Sequence, residues 1–164
     1  MFTANGVLRH DLQLHVPGDK VKLHVIQTPS GYVIRDRLSK KVFFTDASGA
    51  ILHTSTDCED PWHGVHTSWG HVLIADNVGH AITVFSETGD FLGNVRDSGG
   101  NISRPHYLHL DESERLMYVG CGGVGSMQVR TYKFAPGDLP PLPLKLTERK
   151  LEMSVKLATV SLDR

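Results

Sequence analysis

Apolar residues in this chain occur in short segments of four to six, and clusters of Gly, Asp, Ser and Thr separate them. Segments rich in Val, Ile, Phe and Tyr with such spacers are typical of strands joined by tight turns. No segment before residue 138 sustains a helical apolar stripe. The pattern therefore predicts an all-β fold of antiparallel meanders. In its best-defined part we expect strands at 64–68, 72–76, 81–86 and 90–96.

The segments recur with a period of 40 residues. A shift by 40 positions aligns Ile34 with Ile74 and Gly49 with Gly89, and a looser third copy follows. Four short strands in about 40 residues are typical of one blade of a β-propeller. We therefore expect propeller blades over residues 1–137 and a proline-rich linker and tail at 138–164. The blades should comprise a partial one at 1–15 and fuller ones at about 16–58, 59–100 and 101–137.

The length of the repeat region predicts an open array. A six-bladed ring at about 40 residues per blade needs roughly 240 residues. We therefore expect a partial propeller of about three four-stranded blades plus a partial one, a fragment with open ends whose end edges stay exposed. Residues 1–15 contain no evident capping element, and residues 151–162 fit a strand or a helix equally well.

The second copy resembles an NHL repeat. The matching residues are Pro61, Gly64, Val65, Ala75, Asp76, His80, Ile82, Val84, Phe85 and Gly89. The sequence departs from the NHL pattern at Gly79, where the family usually has Asn, and at Ala81, where it usually has Arg. The resemblance is nearest to the C-terminal propellers of animal tripartite-motif proteins and implies a six-bladed NHL/TolB-like propeller.

The resemblance also implies a function. Propellers of that group recognise proteins or structured RNA, while a separate RING finger carries the ubiquitin-ligase activity. We therefore expect a non-enzymatic recognition scaffold that binds a protein partner. Two alternatives stay open, an RNA-binding surface and a propeller enzyme of the lactonase or lyase type.

The topology of a blade predicts where a partner would bind. Turns from the second to the third strand and connections between blades emerge on the same side of a propeller. Charge is uneven along the chain, because residues 16–58 hold six basic and four acidic residues (+2) and residues 59–100 hold one basic and six acidic (−5). Basic residues beside aromatic ones can bind the phosphates and stack the bases of an RNA loop. The acidic segment 59–100 argues against a ligand with a broad negative charge. The candidate partner-binding residues are Arg35, Arg37, Lys40, Lys41, Trp62, His63, Asn77, His80 and Arg104.

Four residues are predicted to shape turns. Asp36 and Asp76 each follow a buried strand, where a carboxylate can accept hydrogen bonds from the backbone of the next turn. Gly49 and Gly89 lie between the third and fourth strands, where a positive φ is commonly required.

Catalytic and metal chemistry find little support in the sequence. His63 and His66 have opposite parity in a strand, so their side chains should point to opposite faces rather than to one ion. There is no Gly-x-Ser-x-Gly motif, and the glycine-rich segment around Cys121 lacks the Lys-Ser/Thr end of a phosphate loop. We expect no metal, cofactor or catalytic residue.

The composition of the chain excludes further classes of protein. A net charge of −1 rules out a chain-wide attraction to nucleic acid or an anionic membrane, and two cysteines are too few for a disulfide framework. No apolar run reaches the ~20 residues of a membrane span, so we expect a cytoplasmic protein. Residues Pro140, Pro143 and Lys145 are spaced like an SH3 ligand, although a plain linker is the alternative.

Overall fold

The computed structural model describes residues 22–97, 99–123 and 125–142. Eleven strands and one short 3-10 helix account for the regular structure of that part. The first eight strands are β1 (Leu23–Gln27), β2 (Gly31–Asp36), β3 (Lys41–Asp46), β4 (Ile51–Ser55), β5 (Pro61–His66), β6 (His71–Asp76), β7 (Ala81–Ser86) and β8 (Phe91–Val95). The remaining elements are β9 (Pro105–Asp111), β10 (Leu116–Gly123), β11 (Ser126–Lys133) and the helix at Pro136–Asp138.

The strands form three separate antiparallel sheets in chain order. Blade 1 is β1–β4 and blade 2 is β5–β8, while blade 3 contains β9–β11 among the described residues. The first strands of the blades lie side by side, because β5 contacts both β1 and β9. The protein is thus a partial β-propeller, which confirms the predicted fold class. Blade 3 corrects the expectation of four strands at 101–137, because the described residues of that range form three strands and a 3-10 helix. The partial blade expected at 1–15 and the segment 151–162 lie outside the described residues.

The first strand of blade 2 corrects one sequence expectation. It spans Pro61–His66 and not residues 64–68, because Thr67 is already in the turn and its amide donates to the carbonyl of His71 at 2.9 Å. Proline has no backbone N–H to donate. It can begin this strand because β5 lies at the edge of its sheet, where outward-facing N–H groups have no partner strand. The other predicted strands of blade 2 agree with the structure to within one residue at each end.

Two apolar clusters join the blades. The first lies between blades 1 and 2 and is built around Phe44 and Phe85, whose ring centroids are 5.4 Å apart. The second lies between blades 2 and 3 and includes Leu73, Ile82 and Val119. Alternate residues of each strand point to opposite faces. We call the face that packs on the next blade of the chain the forward face, and the opposite one the backward face.

The segment after β11 packs against blade 2. Leu139 is buried in the second cluster, and Phe134 packs against Trp69 with tilted rings whose centroids are 5.3 Å apart. The Nε2 atom of His71 lies 3.0 Å from the carbonyl oxygen of Pro140. The beginning of the predicted linker is therefore attached to the propeller. Pro143 and Lys145 of the SH3-like motif lie outside the described residues.

In the part of the chain that the structure describes, no helix is long and apolar enough to cross a membrane.

Candidate partner-binding face

Turns and connections of successive blades meet at one end of the sheets, which we call the loop face. It comprises the β2–β3 and β6–β7 turns and the connections from β4 to β5 and from β8 to β9. The amide of Asn77 donates to the carbonyl of Asp60 at 3.0 Å, and Arg96 Nη1 donates to the carbonyl of Gly79 at 2.8 Å. These contacts hold turn and connection together within blade 2.

Asp76 supports the loop face from below. Its buried carboxylate accepts hydrogen bonds from the amides of Glu59, Asp60 and Gly79 at 2.9–3.1 Å. Asp76 thus joins the turn after β6 to the connection before β5. A side chain at Gly79 would collide with it, because a Cβ there would lie 2.3 Å from Asp76 Oδ2. Glycine at the position where the NHL pattern usually has Asn therefore gives the carboxylate room.

Asp36 occupies the same place in blade 1. It accepts from the amides of Lys22, Leu38 and Ser39 at 3.0–3.3 Å. Burial opposes its ionisation, but the hydrogen bonds outweigh burial and lower the pKa of Asp36. Gly49 and Gly89 lie at the opposite end of the sheets, with φ of +89° and +97° in the β3–β4 and β7–β8 turns.

A chain of side chains crosses the loop face from blade 1 to blade 3. Arg37 forms a salt bridge to Asp60 at 3.1 Å, and its guanidinium carbon lies 3.6 Å from the ring centroid of Trp62. The indole N–H of Trp62 donates to Asp60 at 2.7 Å, and its ring meets that of His106 edge-on at 4.3 Å. Asn77 Nδ2 lies 3.3 Å from Nδ1 of His106. Three predicted residues, Arg37, Trp62 and Asn77, thus belong to one network.

His63 lies deeper, in a row of three rings on the first strands of the blades. Its ring centroid is 4.3 Å from that of His24 and 4.2 Å from that of Tyr107. Burial is the main cause that lowers the pKa of His63 to about 4, and His24 and Arg35 add to it. His63 is therefore neutral at pH 7. Its flanking rings make it a packing residue rather than an open contact.

The other predicted residues divide into two groups. Lys40, His80 and Arg104 are exposed and share a left-handed backbone, with φ of 56°, 51° and 48°. The amide of Arg104 donates to Nδ1 of His80 at 3.1 Å, which joins blade 2 to the connection before blade 3. Arg35 and Lys41 are half-buried strand residues, and Arg35 pairs with His24 beside the row of rings. Of the predicted binding residues, Arg35 is therefore the least suited to contact a partner.

Two apolar residues on the loop face were absent from the predicted set. Leu38 and Val78 are 49% and 47% exposed, and they occupy the same position in the β2–β3 and β6–β7 turns. The sequence does contain a signal for them, because the 40-residue repeat places a large apolar residue at the same point of two otherwise polar turns. Sequence reasoning also missed Asp60 as a partner of Arg37, and His24, His106 and Tyr107 as ring neighbours of the predicted residues.

The described residues contain no group of three or more His, Cys, Asp or Glu side chains placed to hold a metal ion. His63 contacts His24 and Tyr107, whereas His66 contacts the carboxylate of Glu87. Burial raises the pKa of the Cys58 thiol to about 12 and also raises that of Cys121. Both cysteines are free and buried, and as neutral thiols they are poor nucleophiles.

No protein-family model and no curated protein sequence matches this chain. Among solved structures, hydrazine synthase of Kuenenia stuttgartiensis, a propeller-containing protein, is similar with a TM-score of 0.59 at 14% identity. The match covers 80% of this chain and 37% of the other, so the chain spans well under half of that protein. A Bacteroides caccae protein of unknown function aligns with a TM-score of 0.49 at 14% identity, over 72% of this chain and 48% of that one. At such identities the likeness concerns the fold alone.

Proposed function

We propose that this chain is a non-enzymatic recognition scaffold whose loop face binds a protein partner. The observation that carries the proposal is the repeated exposure of Leu38 and Val78 at equivalent turn positions of neighbouring blades. Large apolar side chains on a surface are common at the centres of protein interfaces. Two of them recur at the tips of supported turns in neighbouring blades, and each is available to an apolar side chain of a partner.

Charge around these residues indicates what else the partner should carry. Lys40 and Arg104 are exposed. The carboxylates of Asp36 and Asp76 point inward to backbone amides and Asp60 is paired with Arg37, whereas Glu59 is exposed. Lys40 and Arg104 are thus two exposed cations that acidic groups of a partner can contact. A peptide segment that combines acidic and apolar side chains fits this surface best.

The same geometry argues against RNA as the partner. Proteins recognise unpaired bases by stacking them on open aromatic faces. Arg37 covers one face of Trp62, and His63 lies between His24 and Tyr107. The two aromatic residues that favoured RNA in the sequence are therefore occupied within the protein.

Membership in a cytoplasmic protein of the tripartite-motif type is part of the proposal. Its support is the NHL-like sequence of blade 2, in which Asp76 ends strand β6, Gly89 lies in the β7–β8 turn, and Ile82 and Val84 occupy the core. In that setting the propeller would select the substrate, and ubiquitin transfer would belong to a RING finger.

Peptide display tests the proposal directly. The purified chain is screened against a random peptide library, and enriched peptides are measured by calorimetry against Leu38→Asp and Val78→Asp. We expect acidic, apolar peptides whose affinity falls at least about tenfold in either variant. Leu52→Asp, at an exposed residue of β4, is the matched control and should bind normally. Failure to enrich peptides, together with salt-sensitive binding of a random RNA pool, would refute the proposal in favour of RNA.

A further inference from the structure

A cavity of about 340 Å³ lies between blades 2 and 3. Leu73 and Ile82 line it from the forward face of blade 2, and Met117 lines it from the backward face of blade 3. Every residue that lines the cavity belongs to the described part of the chain. Lys133 and Asp138 also line it and are exposed, so the cavity opens to solvent. Its volume is at the lower end of the range for small-molecule sites, about 300–1,000 Å³.

Tyr132 gives this cavity an unpartnered polar group. Tyr132 pairs with Met117 on the neighbouring strand, so the two side chains lie on the same face of blade 3. The hydroxyl oxygen of Tyr132 is buried and has no hydrogen-bond partner among the described residues, whereas buried tyrosine hydroxyls usually have one. Burial and, after it, the charge of Asp97 raise the pKa of Tyr132. The hydroxyl is therefore protonated at neutral pH and can donate to a ligand.

Asp97 supplies an acceptor at the same cavity. Its carboxylate accepts hydrogen bonds from the amide of Gly99 at 3.0 Å and from the side-chain amide of Asn101 at 2.6 Å. The bonds from Gly99 and then Asn101 lower the pKa of Asp97, so it is ionised at neutral pH. A carboxylate has about four acceptor sites, so Asp97 can accept a further hydrogen bond. The cavity thus offers a ligand one donor and one acceptor.

The charges around the cavity favour an uncharged ligand. Two cationic residues, Arg96 and Lys133, and two acidic ones, Asp97 and Asp138, line it, so neither sign predominates. Apart from Tyr132, the other lining residues are apolar. A charged group in such surroundings loses its hydration and needs a close partner of opposite charge to offset the loss.

We infer that the cavity binds a small uncharged aromatic molecule of one or two rings, whose edge has a hydrogen-bond acceptor next to an N–H or O–H. The acceptor takes the hydrogen bond of Tyr132, and the N–H or O–H donates to Asp97. The rings pack on the apolar walls, where Met117 and Phe134 are side chains that pack well on aromatic rings. The inference does not rest on the proposed function, because neither Leu38 nor Val78 lines the cavity.

Carbostyril, a fused bicyclic lactam, is the probe that tests the inference. Its carbonyl and N–H are adjacent, and its N-methyl derivative is the matched control that lacks the N–H. The full chain is titrated and followed by methyl NMR, in which the signals of Leu73, Ile82 and Met117 report on the cavity. We expect carbostyril to shift these signals with a dissociation constant of about 0.1–1 mM, as suits a ligand of its size. The N-methyl derivative should bind at least about fivefold more weakly.

Variants of the chain show where the probe binds. Tyr132→Phe removes only the hydroxyl and should weaken binding at least about fivefold. Tyr118→Phe is the same change on the opposite face of blade 3 and should leave binding unchanged. Val95→Phe fills the cavity from a half-buried position of β8. This variant should lose binding, while its melting temperature stays at or above that of the unaltered chain.

Three results would overturn the inference. The first is the absence of methyl shifts with carbostyril at about 3 mM. The second is an unchanged affinity in Tyr132→Phe, or equal affinities of carbostyril and its N-methyl derivative. The third is tighter binding of indoleacetate or tryptamine, an anion and a cation of similar size, because it would assign the cavity to a charged ligand.

Discussion

Every residue of β6 and β7 in blade 2 is buried, whereas most residues of β11 in blade 3 are exposed. Both blades have the same antiparallel order and equivalent pairs, such as Ala75 with Ile82 and Gly120 with Val129. The difference lies in their neighbours, because blade 2 packs on a blade at each face, whereas among the described residues blade 3 packs only on blade 2.

The comparison shows that the residues of a blade are buried by the neighbouring blades and not by the blade itself. A single sheet is one layer thick, so each face needs a neighbour to exclude water from it. Stability in such an array is approximately a sum of contributions from single repeats and from interfaces between adjacent ones. Substitutions at equivalent positions should therefore lower the free energy of unfolding by different amounts in blades 2 and 3.

The largest effect is expected at the interface of blades 1 and 2. Phe85→Ala should lower the free energy of unfolding by about 3–5 kcal/mol, because it leaves a cavity beside Phe44. Val129→Ala in blade 3 should change it by less than about 0.5 kcal/mol. Urea unfolding at low protein concentration measures both. Equal costs for the two variants would show that the forward face of blade 3 is as well packed as the core.

The next effect concerns the polar support of blade 2. Asp76→Ala should cost about 2–3 kcal/mol, because the partly buried amides of Glu59, Asp60 and Gly79 lose a charged acceptor. Asp76→Asn keeps one acceptor oxygen and should cost less. Thermal melting followed by circular dichroism gives the comparison, and an unchanged midpoint for Asp76→Ala would contradict the role assigned to this carboxylate.

A smaller effect is expected where blades 1 and 2 approach most closely. A Cβ at Gly64 would lie 2.5 Å from the Cδ1 atoms of Ile26 and Ile74. Gly64→Ala should therefore cost about 1–2 kcal/mol by overpacking. Ile26→Val removes one of the two clashing methyl groups, so the double variant should lose less stability than the sum of the single ones. Strict additivity in urea unfolding would show that the blades are not in contact at this point.

The smallest effect is a pH dependence from the row of rings. The pKa of His63 is about 4 in the folded protein, below its ordinary value of 6.5, so protonation favours the unfolded state. The stability that neutral His63 supplies is complete above pH 6.5 and is lost as the pH falls from there towards 4. His63 is only half-buried, and the change should stay below about 1 kcal/mol after screening by water. His63→Phe should reduce the dependence of the melting temperature on pH over this range. Substitution of the exposed His109 is the control and should leave that dependence unchanged. The same pH dependence in His63→Phe as in the unaltered chain would show that other groups cause it.

The sequence by itself determined the local architecture of this protein. The 40-residue period, the last three strands of blade 2, Asp76 at the end of one of them and Gly89 in a turn follow from patterns within a few residues of each other. Strand propensity, turn chemistry and side-chain alternation are local properties, and they suffice to predict an all-β propeller array.

Only the tertiary structure decided which predicted residues remain accessible to a partner. The turn between the first two strands is one residue longer in blade 2, so Val25 corresponds to Gly64 and not to Val65, with which the shift of 40 aligns it. A slip of one residue moves a side chain to the other face of a sheet. The rings of His24 and His63 therefore meet between blades, and Arg37 reaches across to Trp62. Such contacts depend on how successive sheets stack, and a repeat pattern along one chain does not contain that information.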